Sequence, residues 1–221
     1  MTITRRLVGT LLLVLVVACA DSTLRAGVAI PDPQSDDSLS AAKGQSTLVL
    51  AGGCFWGMEE VFQHVKGVTD VISGYAGGAA RTAEYELVST GTTGHAESVK
   101  ITYDPSKVSM GQLLKVFFSV AHDPTQVNAQ GPDVGPQYRS AIFFANARQQ
   151  QLAKAYIDQL SAASVYRKPI ATQLVSLNGF YQAEPEHQDY AVKHPTARYI
   201  VLVDQPKVDA LRREFPTLYV K

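Results

Sequence analysis

Two strand-like segments, 68–75 and 95–103, follow one another with no long helix between them, whereas 47–51 leads into 68–75 through a helical stretch over 54–66. A doubly wound parallel sheet needs a helix at each crossover, so this order favours a two-layer α+β sandwich. Further strands are predicted at 139–145, 171–177 and 198–203. Further helices are predicted at 109–121, 147–163 and 184–192, with a shorter helical turn around 84–89. The segment from His122 to Gln137 is rich in Pro and Gly and has no periodicity, and it reads as a long loop of the kind that carries function.

The N-terminus is a different kind of sequence. Met1-Thr-Ile-Thr-Arg-Arg precedes a nearly unbroken apolar run from Leu7 to Ala18, the charged and hydrophobic regions of an export signal. The run is too short to span a bilayer comfortably. Ala18-Cys19-Ala20 fits ordinary signal cleavage, giving a signal peptide over 1–20. Val16-Val17-Ala18-Cys19 resembles a bacterial lipobox, in which residues 1–18 are removed and Cys19 is lipidated. The lipobox is the favoured reading, because a cysteine at that position otherwise lacks a reason. Either way the mature chain is exported to the periplasm or cell envelope, and any membrane contact is through that lipid. Residues 21–46 turn to Ser, Asp, Pro, Gly and Ala and read as a flexible tether. Residues 47–221 then form a single domain large enough to bury a core. With 20 Lys and Arg against 20 Asp and Glu, and no basic cluster interleaved with aromatics, nucleic acid is not an expected partner.

Chemistry concentrates at Gly52-Gly53-Cys54-Phe55-Trp56-Gly57, which follows directly on the apolar run Leu48 to Ala51. A thiol is thereby placed where a strand turns into a helix. The glycines permit a tight turn, and the free N–H groups of the helix would favour the thiolate. Phe55, Met58, Val61, Phe62 and Val65 form one apolar stripe, which makes Phe55 a core residue by default. Trp56 lies off that stripe, as a pocket wall or as a surface ring covered by a loop. In the alternating strand that starts at His95, Glu97 shares the face of Val99, Ile101 and Tyr103. A carboxyl group there is either a general acid kept protonated by desolvation or a structural glutamate satisfied by backbone groups. His95 shares that face and could activate Cys54, but no third member of a triad is evident. The five histidines offer no close ligand pair, so a metal site is not expected.

Six motifs in order extend this reading: Gly52 to Gly57, Ser73-Gly74-Tyr75-Ala76-Gly77-Gly78, Thr93-Gly94-His95-Ala96-Glu97, His122-Asp123-Pro124-Thr125-Gln126, Gln137-Tyr138-Arg139-Ser140 and Phe180-Tyr181-Gln182-Ala183-Glu184. Together they resemble the A-type peptide methionine sulfoxide reductases across residues 47 to 203. The resemblance implies a ferredoxin-like sandwich and reduction of methionine-S-sulfoxide, free or in proteins, without metal, flavin or other cofactor. It implies that Cys54 attacks the sulfoxide sulfur and becomes a sulfenic acid, that Glu97 protonates the oxygen, and that Tyr85 and Tyr138 hydrogen-bond it. Phe55 and Trp56 would wall the pocket for the S-methyl group, and Asp133 would stand near the site.

Departures from the family pattern carry information too. Pro136 replaces a hydroxyl residue, Pro185-Glu186 replaces an acidic-aromatic pair, and Ser89 stands where cysteine is frequent. The tail after Tyr199 has no resolving cysteine. Regeneration is therefore expected from a thioredoxin-like protein or small thiol acting on a monomer, in repair of oxidised envelope proteins. Two other readings of Cys54 stay open at this level: a peroxide-reducing thiol enzyme, and a catalytically silent lipoprotein that serves as an interaction module.

Overall fold

The computed structural model describes residues 29–221. The export signal, Cys19 and the start of the tether lie outside the described residues.

The chain runs β1 (Ser46–Gly52), α1 (Phe55–Gln63), β2 (Val68–Ala76), α2 (Tyr85–Val88), β3 (Ala96–Tyr103), α3 (Met110–Val116), β4 (Ala129–Gln130), β5 (Asp133–Val134), β6 (Ser140–Phe144), α4 (Ala147–Ala162), β7 (Gln173–Ser176), β8 (Phe180–Gln182), α5 (Tyr190–Lys193) and α6 (Gln205–Glu214). The main sheet has the order β7-β6-β1-β3-β2-β8. Within it, β6, β1, β3 and β2 are mutually antiparallel neighbours, with α1 crossing from β1 to β2 and α3 lying between β3 and β6. That interleaved split βαβ arrangement is the ferredoxin-like sandwich. Strand β7 extends it in parallel beside β6, and β8 antiparallel beside β2.

One sheet face carries the helices. Leu48 and Leu50 of β1, Val99 and Ile101 of β3 and Ile142 of β6 pack there against Phe55, Met58, Val61 and Phe62 of α1 and against Leu113, Phe117, Leu152 and Tyr156. The stripe expected on α1 is thus the stripe that is buried, and each such side chain contributes about 1.5–3 kcal/mol on leaving water. The opposite face holds a smaller cluster of Val49, Ala51, Ala96, Ala141 and Phe143. Helix α3 starts on a capping box between Ser109 and Gln112 and continues as a π-helical turn, Phe117–Ala121, buried all round.

Several expectations need correction. The segment 198–203, expected as a strand, is helical: Ile200–Asp204 forms a π-helical turn that runs into α6. Ile200 is 1 % exposed while Val201 and Leu202 are 46 % and 53 % exposed, so burial does not alternate as in a half-buried strand. Pro206 at the start of α6 suits a helix N-terminus, whereas β-branched residues alone suggested a strand. The expected helix 184–192 is broken into a 3₁₀ turn, Pro185–His187, and the short α5, because Asp189 between them adopts a left-handed φ of 54°.

The tether also differs, because residues 30–37 lie against α3 and α4. Ile30 is buried, the Tyr156 hydroxyl donates to the Pro31 carbonyl at 2.7 Å, and Asp37 pairs with Arg148 at 2.6 Å. The Asp36 carboxylate accepts from the Ser109 hydroxyl and from the Gly111 N–H at 2.9 Å. The aspartates that gave the segment a loose composition are the groups that fasten it.

Candidate active site

Strand register brings the acid to the thiol. Leu50 of β1 stands opposite Val99 of β3, so two residues further along each antiparallel strand come Gly52 and Glu97. Gly53 then turns the chain with a φ of 95°, and Cys54 forms the N-cap of α1. The Phe55 N–H, first in the helix, donates to Glu97 Oε2 at 3.1 Å. The acid is therefore held one residue from the nucleophile by a backbone donor the helix leaves unpaired.

Glu97 is buried on the helix-bearing face, as its strand position predicts. Burial pushes its carboxyl up to about 8, against the opposing hydrogen bond from the Phe55 N–H. It is therefore mostly protonated at neutral pH. The expectation for the thiol needs correction: Cys54 is 8 % exposed, and burial, then the Glu97 and Asp204 carboxylates, raise it well above the ordinary thiol value. The hydrogen bond from the Trp56 backbone and the charge of Lys207 act in the other direction and are outweighed. The thiol therefore keeps its proton at neutral pH.

Around these two groups stand the tyrosines. Tyr138 ends a 3₁₀ turn, Pro136–Tyr138, two residues before Ser140, the partner of Gly52 in β6. Tyr85 opens α2. Both hydroxyls are raised by burial first and then by the Glu97 charge, with Cys54 a further contributor, which puts both rings within the field of the site. The Tyr138 hydroxyl has no hydrogen-bond partner among the described residues and is free for a ligand. Asp133 of β5 accepts from the Tyr199 hydroxyl, and its charge raises Glu97.

Phe55 is fully buried and yet touches the site: its ring lies 5.9 Å from Tyr75 and 5.4 Å from His187. Trp56 is half-buried, stacked 3.7 Å from Tyr190 at 8°, with the Tyr199 ring edge-on at 6.0 Å. It is an aromatic wall shared by α1, α5 and the C-terminal segment. His95 has a structural use, its ring meeting the Gly78 N–H at 3.2 Å and the Ala79 carbonyl at 3.1 Å. A cleft of about 440 Å³ lies between α1 and β2, beside Glu59, Asp70 and Asp189, and Cys54 does not line it.

Sequence reasoning missed a C-terminal contribution. Asp204 is fully buried and pairs with Lys207 at 3.0 Å. A Cβ at Gly57 would come within 2.0 Å of Asp204 Oδ1, so this pair seats directly on the first turn of α1 where residue 57 has no side chain. Tyr199 and His187 were missed in the same way, and Glu184, which closes the sixth motif, was given no role. The Asp204-Gln205-Pro206 run is a legible helix start that the apolar residues before it concealed.

The sequence profile described as peptide methionine sulfoxide reductase matches residues 46–218. Peptide methionine sulfoxide reductase MsrA 2 of Mesorhizobium japonicum is 59 % identical over 179 residues, covering 81 % of this chain and 92 % of that protein. A protein with the same description from Synechocystis is 50 % identical over 188 residues, covering 84 % and 88 %. Among solved structures, reduced Mxr1 from Saccharomyces cerevisiae has a TM-score of 0.62 at 32 % identity over 74 % of this chain and 92 % of that one. Methionine sulfoxide reductase A of Corynebacterium diphtheriae has a TM-score of 0.59 at 36 % identity over 76 % and 85 %.

Proposed function

The chain belongs to the peptide methionine sulfoxide reductase family, and from that premise we propose a mechanism that runs through the single thiol Cys54 and the buried acid Glu97. The activity is that of a peptide-methionine (S)-S-oxide reductase, an oxidoreductase acting on methionine sulfoxide. The observation that carries the mechanism is the hydrogen bond from Phe55 N–H to Glu97, which sets a protonated carboxyl beside the nucleophile.

Cys54 sulfur attacks the sulfoxide sulfur while Glu97 gives its proton to the oxygen and takes up the thiol proton. The attack forms an S–S bond, and the substrate S–O bond then breaks as its oxygen takes a second proton from Glu97 and leaves as water. A water attacks the Cys54 sulfur and returns a proton to Glu97, the S–S bond breaks, methionine leaves, and Cys54 carries the new oxygen as a sulfenic acid. The substrate sulfur gains two electrons and the cysteine sulfur loses two. A first external thiol then displaces water to form a mixed disulfide, and a second releases Cys54. Tyr138 and Tyr85 supply hydrogen bonds to the oxygen as it gains negative charge, while Phe55 and Trp56 receive the methyl group and Asp133 raises the acid. The thiol donor is a thioredoxin-like protein or small thiol, since Cys54 has no thiol partner in the domain.

A pocket that assigns methyl, oxygen and lone pair to separate walls reads the configuration at sulfur. The S epimer should turn over with a dithiol reductant and the R epimer should not, as followed by chromatography of each. Equal rates on both would overturn the site assignment.

Residues 1–20 support export, and Cys19 supports a lipid anchor that would place the enzyme in the cell envelope as a repair enzyme for oxidised proteins there. Mass spectrometry of the native protein should find an acylated Cys19 as first residue. A soluble chain beginning at Asp21 would rule the anchor out.

A further inference from the structure

The four-residue helix α2 that carries Tyr85 cannot hold itself. Its N-cap, Glu84, makes no side-chain capping bond, and of its residues only Val88 is buried. A helix this short has no stability of its own in water. What fastens it comes from a segment about a hundred residues away in sequence. The Glu184 carboxylate accepts from the Tyr85 N–H at 2.8 Å through one oxygen and from the Tyr75 hydroxyl at 2.7 Å through the other. Burial pushes that carboxyl up, but the Tyr85 N–H, its own N–H, the Tyr75 hydroxyl and the His187 charge together outweigh it, so Glu184 stays ionised and acts as a charged double acceptor.

Glu184 is itself anchored on the sheet. Tyr181 of β8 pairs with Tyr75 of β2, and the Ala183 N–H donates to the Ser73 carbonyl at 2.9 Å. Three residues on, the His187 ring lies 4.2 Å from the Tyr85 ring. Tyr85 is therefore gripped twice by one segment, on its backbone by Glu184 and on its ring by His187. Tyr75, the second residue held by Glu184, stands directly opposite Glu97 in the β2–β3 ladder.

We propose that Glu184 is the positioning residue for Tyr85: its carboxylate bridges the Tyr75 hydroxyl and the Tyr85 N–H and so fixes the Tyr85 hydroxyl where the sulfoxide oxygen must lie. The inference rests on the role given to Tyr85 above. It predicts that Glu184 acts on the rate through Tyr85 and by no separate route.

The test is a double-mutant cycle measured as kcat/KM on N-acetyl methionine S-sulfoxide with a dithiol reductant, each variant first checked for native near-UV circular dichroism. Glu184→Ala should lower kcat/KM by about tenfold, since a small displacement of a positioned group is enough for that. In a Tyr85→Phe background the same substitution should cost less than about twofold, because neighbours that act as a unit are not additive. Glu184→Gln keeps an acceptor for the Tyr85 N–H and an amide that can donate to the Tyr75 oxygen, and should restore the rate to within about threefold of the parent. Should Glu184→Ala not fold, Glu184→Asp runs the same cycle, its shorter carboxylate being unable to reach both donors. Equal losses from the Glu184 substitution in both backgrounds, or none in either, would overturn the proposal. An unchanged rate for Tyr85→Phe alone would instead sink the role of Tyr85.

Discussion

Replacing Cys54 by Ser should leave a folded protein with no reductase activity and no single-turnover product. The expectation follows from the cysteine count: Cys54 is the one thiol of residues 29–221, and the proposed processing removes or acylates Cys19. Mixed with excess methionine-S-sulfoxide in the absence of any thiol, the wild-type mature protein should release about one methionine per chain and then stop, holding a sulfenic acid that a dimedone-type reagent traps. No intramolecular disulfide can form. The Ser variant should give neither methionine nor adduct, although its hydroxyl fits the same space at the α1 N-cap. Adding a dithiol should convert the single turnover of the parent into steady turnover and leave the variant silent. Steady turnover by the parent with no thiol present would show that the oxygen leaves Cys54 by another route.

The main part of the fold was legible because local and long-range signals agree along it. The stripe of Phe55, Met58, Val61 and Phe62 has a helical period, and the run from Ala96 to Tyr103 alternates, so each could be read from its neighbours alone. Segments whose conformation is set by distant partners were not. Residues 200–203 are all apolar, and only the burial of Ile200 with exposure of Val201 and Leu202 reveals a helical turn. Residues 30–37 are polar and proline-bearing, and they are ordered by Asp36 and Asp37 meeting Ser109, Gly111 and Arg148, partners that no local pattern announces.

The site divides in the same way. Cys54 and Glu97 announce themselves by position, a thiol after two glycines at a strand end and a carboxyl on an apolar face. The protonation of Cys54 was misjudged, because the helix N-terminus is visible in sequence while the burial and the Glu97 and Asp204 charges that outweigh it are not. Glu184, Tyr199 and Asp204 were out of reach for a related reason. They act on residues far away in the chain, and nothing in the spacing says which residues those are.

Glu97→Gln should lower the reduction rate by roughly 10²–10⁴-fold, the usual worth of a positioned general acid. The substitution keeps the shape of the side chain and an oxygen that can accept from Phe55 N–H, so the loss reads the proton and not the fold. The pH dependence separates it further. Glu97 sits at about 8, so the wild-type rate should fall as pH rises through that value and the acid loses its proton, and this limb should be missing in Glu97→Gln. Stability should rank the two proteins in the reverse order to the rate. An ordinary glutamate ionises near 4.5, and Glu97 in the fold near 8. Between those values the unfolded chain has released a proton that the folded chain still holds, so wild-type stability is lost as pH rises across that window. Glutamine removes the penalty, and Glu97→Gln should unfold at a higher temperature than the parent when both are scanned at about pH 8. A variant that keeps more than a third of the parent rate, or that shows the same alkaline limb, would return Glu97 to a structural role and leave the protonation of the sulfoxide oxygen to Tyr138 or Tyr85.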